Sequence, residues 1–166
     1  MNTSDNAAGP LSVSRDQGEA RWFLHTLSLI KNTGENTGGR LAVVEQVAPR
    51  GPAAPLHVHH RDGEWFYVIE GELTFWAGGE VAQAPQGCLV YGPPKVPHTF
   101  DVASDEARFL IITAPAGFDE FIRTVSQPAE ALTLPPAGGP PPDPARLASV
   151  AAEYGIEILG PPGIPG

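Results

Sequence analysis

The sequence predicts an all-β domain, a sandwich or barrel, and three observations lead there. Between Arg21 and Thr113 the apolar residues fall in short runs rich in aromatic and β-branched types, the composition of strands. Glycine and proline, 19 of each in 166 residues, break those runs at close intervals. The spacing leaves room for roughly nine or ten short strands and for no long helix. Helical periodicity appears only after Pro115.

Taken in order, residues 1–19 are polar and glycine-containing and read as a loose arm. Arg21 to Ile30 (Arg-Trp-Phe-Leu-His-Thr-Leu-Ser-Leu-Ile) reads as one long first strand, with His25 as a core or interface histidine rather than a ligand. Lys31 to Gly39 repeats Asn-Thr-Gly, a turn chemistry that tolerates left-handed backbone, and joins a second strand from Arg40 to Ala48 as a hairpin. Pro49 to Pro55 holds the approach to His57 extended. Glu64 to Ile69 is expected to pair with Glu72 to Trp76 across a tight turn at Glu70-Gly71, and Gly78-Gly79 makes the next turn. Short strands follow at Val81 to Ala84 and Cys88 to Tyr91. A proline-rich corner then delivers His98 into the strand His-Thr-Phe-Asp-Val, and Ala107 to Thr113 closes the series.

Beyond Pro115 the pattern changes. Phe118, Phe121, Ile122 and Val125 stand at i, i+3, i+4 and i+7, an amphipathic helix. Leu134 to Pro142 is a Pro/Gly linker. Asp143 can cap a second helix with Pro144 at its first position and Gly155 past its end. Ile156 to Leu159 reads as an edge strand, and the last seven residues read as a disordered end. The expected organisation is a flexible arm over 1–19, a β domain over 20–115, and a helical, Pro/Gly-rich extension over 116–166 that covers one opening or flank.

A net charge of −9 removes the basic surface that phosphate neutralisation requires, which excludes nucleic acid and anionic membranes as partners. No apolar run approaches bilayer length. The one cysteine, Cys88, sits in an apolar run and reads as packing. A lone thiol and an N-terminus without the features of a secretory signal give the cytoplasm as the expected location.

The chemistry concentrates between Gly51 and Gly71. His57 and His59 are two apart and share one face of a strand. Glu64 opens the next extended run, and His98 is the obvious fourth member on a later strand. Three imidazoles and one carboxylate facing one cavity suit a single divalent transition metal: Ni, Fe, Mn, Co, Cu or Zn. His60, adjacent to His59, points to the opposite face and reads as a surface residue. By alternation Phe66, Val68, Leu73, Phe75 and Phe100 line the same interior as the four, a substrate pocket for a flat, apolar ligand with one or two polar anchors.

These residues carry a resemblance. Gly51-x5-His57-x-His59-x4-Glu64-x6-Gly71 resembles the first motif of the cupins at every defined position, and Gly87-x5-Pro93-x-Lys95-x2-His98-x3-Val102 resembles the second at its Gly, Pro and His. The chain departs from the second motif at Lys95, where the family usually has glycine, and at Val102, where asparagine is common. The resemblance implies a cupin β-barrel (double-stranded β-helix, or jelly roll) with short C-terminal helices, and His57, His59, Glu64 and His98 as metal ligands. It also implies a homodimer, for which the apolar Trp22 to Ile30 run is one candidate contact; packing of that strand within its own domain is the alternative.

Within the cupins the chain looks most like single-domain bacterial proteins related to quercetinases. The likeness includes the Glu64-Trp-Phe-Tyr-Val-Ile-Glu-Gly71 run, Thr113-Ala-Pro-Ala-Gly-Phe118 and Pro128-Ala-Glu-Ala-Leu-Thr-Leu-Pro135. It implies a metal-dependent dioxygenase that cleaves a flavonol or related enolisable phenolic substrate with dioxygen, Glu64 being the catalytic base. Two other uses of the same pocket stand beside it: a non-redox metal enzyme (isomerase, cyclase or decarboxylase), and a small-molecule-binding protein without turnover.

Overall fold

A computed structural model describes residues 9–138 and 142–166. β1 (Glu19–Phe23) and β2 (Thr26–Asn32) form a hairpin with Phe23 opposite Thr26. This corrects the single strand expected from Arg21 to Ile30. Leu24 turns the chain at φ 55, and Thr26 Oγ1 donates to the Phe23 carbonyl at 2.8 Å. No glycine or proline marks that turn, so composition gives no sign of it. His25 sits at its tip and is exposed, which corrects its reading as a core histidine.

The Asn-Thr-Gly connection contains one helical turn, α1 (Gly34–Thr37), capped by Thr33 Oγ1, which accepts from the Asn36 amide. β3 (Ala42–Pro52) then returns antiparallel to β2, as expected. Next come β4 (Pro55–His59), β5 (Gly63–Glu70), β6 (Glu72–Ala77), β7 (Glu80–Pro85), β8 (Leu89–Gly92) and β9 (His98–Ala114). β9 merges the two runs read as separate strands. Its irregular pairing with β3, between Pro49 and Gly51, takes up Ala103, Ser104 and Asp105.

β5 and β6 do not form the expected hairpin. β5 pairs with β8 and with the C-terminal half of β9, whereas β6 pairs with β7 and the N-terminal half of β9. The cause lies at Gly71 (φ 84), where a Cβ would stand 2.4 Å from the Glu106 carbonyl oxygen. The chain is pressed onto β9 at that point and crosses from one partner segment to the next instead of folding back. The β6–β7 hairpin turns at Gly78-Gly79, as expected.

After β9 come α2 (Phe118–Val125), β10 (Gln127–Pro128), α3 (Pro144–Glu153) and β11 (Ile156–Pro162). Asp143 caps α3, its Oδ1 accepting from the Ala145 and Arg146 amides, with Pro144 in the first turn. β11 lies antiparallel to β4 and reaches Pro162, into the segment that composition reads as a disordered end. Residues 139–141 of the Pro/Gly linker and residues 1–8 of the arm lie outside the described residues. The arm is tied down over 14–17, where Lys31 Nζ donates to the carbonyls of Ser14, Arg15 and Gln17 at 2.6–2.8 Å.

The result is a strand-dominated jelly roll with short helices. Its hydrogen-bonded path, β10-β1-β2-β3-β9-β4-β11, is open at both ends rather than closed into a ring. Side chains complete the enclosure. One core cluster is aromatic: Phe66, Phe75, Phe100 and Phe109 stack or tilt against one another with ring centroids 4.6–5.4 Å apart. A second packs Phe121 and Ile122 of α2 and Ala151 of α3 on Phe23, Ile30 and Val44. Trp22, Leu27, Leu29 and Ile30 are buried within the chain itself, in keeping with the alternative that this run packs in its own domain. Among the described residues no helix is long and apolar enough to cross a membrane.

Candidate metal centre and its cavity

Alternation along β4 turns His57 and His59 to one side with the buried Val58 between them on the other. His98 opens β9 directly opposite His57, and Glu64 lies near the start of β5. One donor atom from each of the four lies within 4.8 Å of every other, so this cluster could hold a metal ion. Glu64 Oε2 is 2.8 Å from His98 Nε2, 3.3 Å from His59 Nε2 and 3.8 Å from His57 Nε2. The turn before His98 is anchored to the same strand, because the Lys95 amide donates to the His59 carbonyl at 2.7 Å. Lys95 adopts φ 66, the left-handed backbone for which the cupin motif usually uses glycine.

The outward nitrogens decide how the inward ones are protonated. His57 Nδ1 meets the Pro55 carbonyl at 2.7 Å, and His98 Nδ1 meets the Val96 carbonyl at 3.0 Å. A carbonyl oxygen only accepts, so both Nδ1 atoms carry the proton. His59 Nδ1 donates to Asp62 Oδ2 at 2.8 Å. In the neutral rings all three Nε2 lone pairs therefore point inward, toward a carboxylate that also carries only lone pairs. His59 Nε2 is buried without any hydrogen bond. His98 Nε2 and Glu64 Oε2, 2.8 Å apart, share a proton when the ring is charged. With the rings neutral, four electron-pair donors face one point, a set that fits a divalent transition cation.

Electrostatics within the cluster follow from burial and these neighbours. Burial holds the His57 pKa below its ordinary value. His59 is raised: burial opposes its charging, but Glu64 and Asp62 outweigh it. Glu64 lies well below the usual carboxylate range; burial works against ionisation and is overcome by His59 and by contacts from His57 and His98.

Beside the cluster lies a cavity of about 50 Å³. Phe66 and Phe100 line it, whereas Val68, Leu73 and Phe75 are packed in the aromatic core behind them. Its other walls come from Phe118 and Phe121 of α2, Leu147 of α3, and Ile156 and Ile158 of β11, none of which alternation within the β segment could reveal. No Lys or Arg lines it among the described residues. Leu24, Pro55, Leu147 and Ile158 also border an outer groove of about 1330 Å³. His60 is half-exposed and meets Glu157 at 2.8 Å, on the surface as expected, and Cys88 packs half-buried against the aromatic core. Asp62 escaped the sequence reading; its only signal is a carboxylate three residues after His59.

Residues 43–113 match the model of the cupin domain. The chain carries a cupin domain. It is 27% identical over 130 residues to quercetin 2,3-dioxygenase of Bacillus subtilis, an alignment covering 78% of this chain and 39% of that protein. It is 30% identical over 64 residues to an uncharacterized protein of Methanocaldococcus jannaschii, covering 39% of this chain and 51% of that one. The chain thus spans from two fifths to about half of the length of these relatives. Among solved structures, a predicted oxalate decarboxylase from Thermotoga maritima superposes with a TM-score of 0.58 at 16% identity, over 63% of this chain and 98% of that one. The nucleoside dehydratase Pac13 of Streptomyces gives 0.52 at 20%, over 61% and 81%. At these identities the structural likeness concerns the cupin fold alone.

Proposed function

We propose that this cupin holds one divalent transition metal through His57, His59, Glu64 and His98 and acts on a small, mostly apolar substrate bearing an enolisable or phenolic hydroxyl. The observation that carries the reading is the convergence of four donor atoms within 4.8 Å, with an acceptor on each outward Nδ1 that turns the lone pair of each neutral imidazole inward. A bound ion would supply Lewis acidity and, where redox-active, a means of using dioxygen. The likeness to the Bacillus dioxygenase supports the finer assignment, ring cleavage of a flavonol-like substrate by dioxygen.

The protein's own part is to position and deprotonate. Phe66, Phe100 and Phe118 bracket an apolar ring and keep water from its reacting edge. Glu64 accepts the hydroxyl proton on a carboxylate oxygen. Its depressed pKa makes it a weak base while it faces the histidines, each unit of mismatch costing about 1.4 kcal/mol. Glu64 therefore has to swing away from them to take the proton. The Glu64→Gln variant is expected to keep partial metal binding and to lose substrate deprotonation; full turnover at wild-type metal content would refute the role.

The small volume of the inner cavity favours a second reading, a non-redox enzyme or binder for a compact molecule, since drug-sized ligands occupy about 300–1,000 Å³. Elemental analysis followed by oxygen-electrode assays on a flavonol and catechol panel separates them. Oxygen consumption with a stoichiometric redox metal supports the dioxygenase; turnover or saturable binding without it supports the second reading; an ion-free protein after metal incubation overturns the metal-dependent forms of both.

A further inference from the structure

Four polar residues line the inner cavity: His57, His59, Glu64 and Gln46. The first three belong to the candidate metal centre. Gln46, on β3, does not, and it is almost fully buried at 4% exposure. It begins a chain of hydrogen bonds that runs away from the cavity. Gln46 Nε2 lies 3.0 Å from Ser28 Oγ, Ser28 Oγ lies 3.3 Å from Thr26 Oγ1, and Thr26 Oγ1 lies 2.8 Å from the Phe23 carbonyl. The last link sets the direction of the others. A carbonyl only accepts, so Thr26 gives its one hydroxyl proton to Phe23. Thr26 Oγ1 must then accept from Ser28, which spends the Ser28 proton, and Ser28 Oγ must accept from Gln46. The amide NH2 is thereby committed to the sheet. Its carbonyl oxygen, Oε1, makes no hydrogen bond among the described residues and belongs to a side chain that faces the cavity.

We infer that Gln46 is a specificity-determining residue whose Oε1 accepts a hydrogen bond from a donor group on the substrate, a second anchor beside the metal centre. This rests on the proposed function for the site, and it narrows the substrate class to ligands carrying two hydroxyl-type groups. One is presented to the centre and the other, an O–H or N–H donor, to Gln46. An ether, ester or carbonyl at that second position meets an acceptor with an acceptor. Because the amide's orientation is enforced two residues away, discrimination survives only while Ser28 holds the NH2. Sites built to pair a substrate hydroxyl reject analogues lacking it far more strongly than apolar pockets reject a size difference.

The test uses isothermal titration of the metal-loaded protein with resorcinol and with 3-methoxyphenol. Their two oxygens are too far apart on the ring to grip one ion together, so a preference between them does not come from chelation. The wild type is expected to bind resorcinol at least tenfold more tightly than its methyl ether. Gln46→Leu is expected to bind both alike, with unchanged metal stoichiometry. Ser28→Ala keeps Gln46 but frees its amide to rotate, and is expected to lose most of the preference; it carries the test if Gln46→Leu does not fold. Equal affinities in the wild type, no binding of either phenol, or an undiminished preference in both variants would overturn the assignment. Failure of the proposed function shows separately, as a protein that takes up no metal.

Discussion

At the scale of single residues, the centre depends on groups one step removed from it. Among the described residues, Asp62 is the one side chain that meets an outward Nδ1 of the cluster; His57 and His98 use backbone carbonyls there. Asp62→Ala leaves His59 Nδ1 without its acceptor, so the ring is free to rotate or to move its proton to Nε2. Metal affinity is expected to fall about 10- to 100-fold, measured by competition with a chromogenic chelator, with the circular dichroism unchanged. The depressed pKa of Glu64 gives a pH prediction for the metal-free protein. A carboxylate whose folded pKa lies below its unfolded value contributes stability above about pH 4.5, and that contribution is lost as pH falls through the folded value. Thermal melts of the metal-free wild type should therefore lose stability below pH 4.5 more steeply than melts of Glu64→Gln. The convergence of the four side chains is legible in the sequence because strand alternation and short Gly/Pro turns leave few other arrangements. Asp62 and Gln46 are not, since a carboxylate in a turn and an amide in a strand both read as solvated until the neighbouring strand is placed.

At the scale of elements, sequence patterns find strands well and partners poorly. The runs at Glu64 to Ile69 and Glu72 to Trp76 are both strands, yet a two-residue connection suggests a hairpin that β9 pre-empts by pairing with each of them. What decides is a close approach invisible in one dimension, the Glu106 carbonyl lying where a Gly71 side chain would begin. Gly71→Ala combines a left-handed alanine, about 1–2 kcal/mol, with that overlap. The expected loss is about 3 kcal/mol in urea unfolding, the overlap term being typical of overpacking. An unchanged midpoint would mean that the β5–β6 crossing lies elsewhere. The helices are readable from their period and caps, and so is their covering of one side; which of their residues line the cavity is not, because Phe118 and Leu147 reach it only after α2 and α3 pack on the sheet.

At the scale of the whole molecule, sheet and extension share one cavity. The cluster draws on β4, β5 and β9, and the cavity adds α2, α3 and β11, so an ion that binds only the folded state should stabilise all of them together. At a free-ion concentration one hundred times the dissociation constant the gain is about 2.7 kcal/mol. Scanning calorimetry with and without chelator should show a single transition moving upward on metal addition. A rise confined to part of the unfolding heat would indicate that the extension melts independently.

The pairing of β11 with β4 carries a consequence for the order in which the protein is made. β4 touches β9 through the single bridge His57↔His98, and its long partner is β11, opposite both of its histidines. Until β11 has emerged from the ribosome, the strand that carries His57 and His59 would have that bridge as its sheet pairing. An ion held by the four donors would therefore be gripped firmly only after β11 has paired.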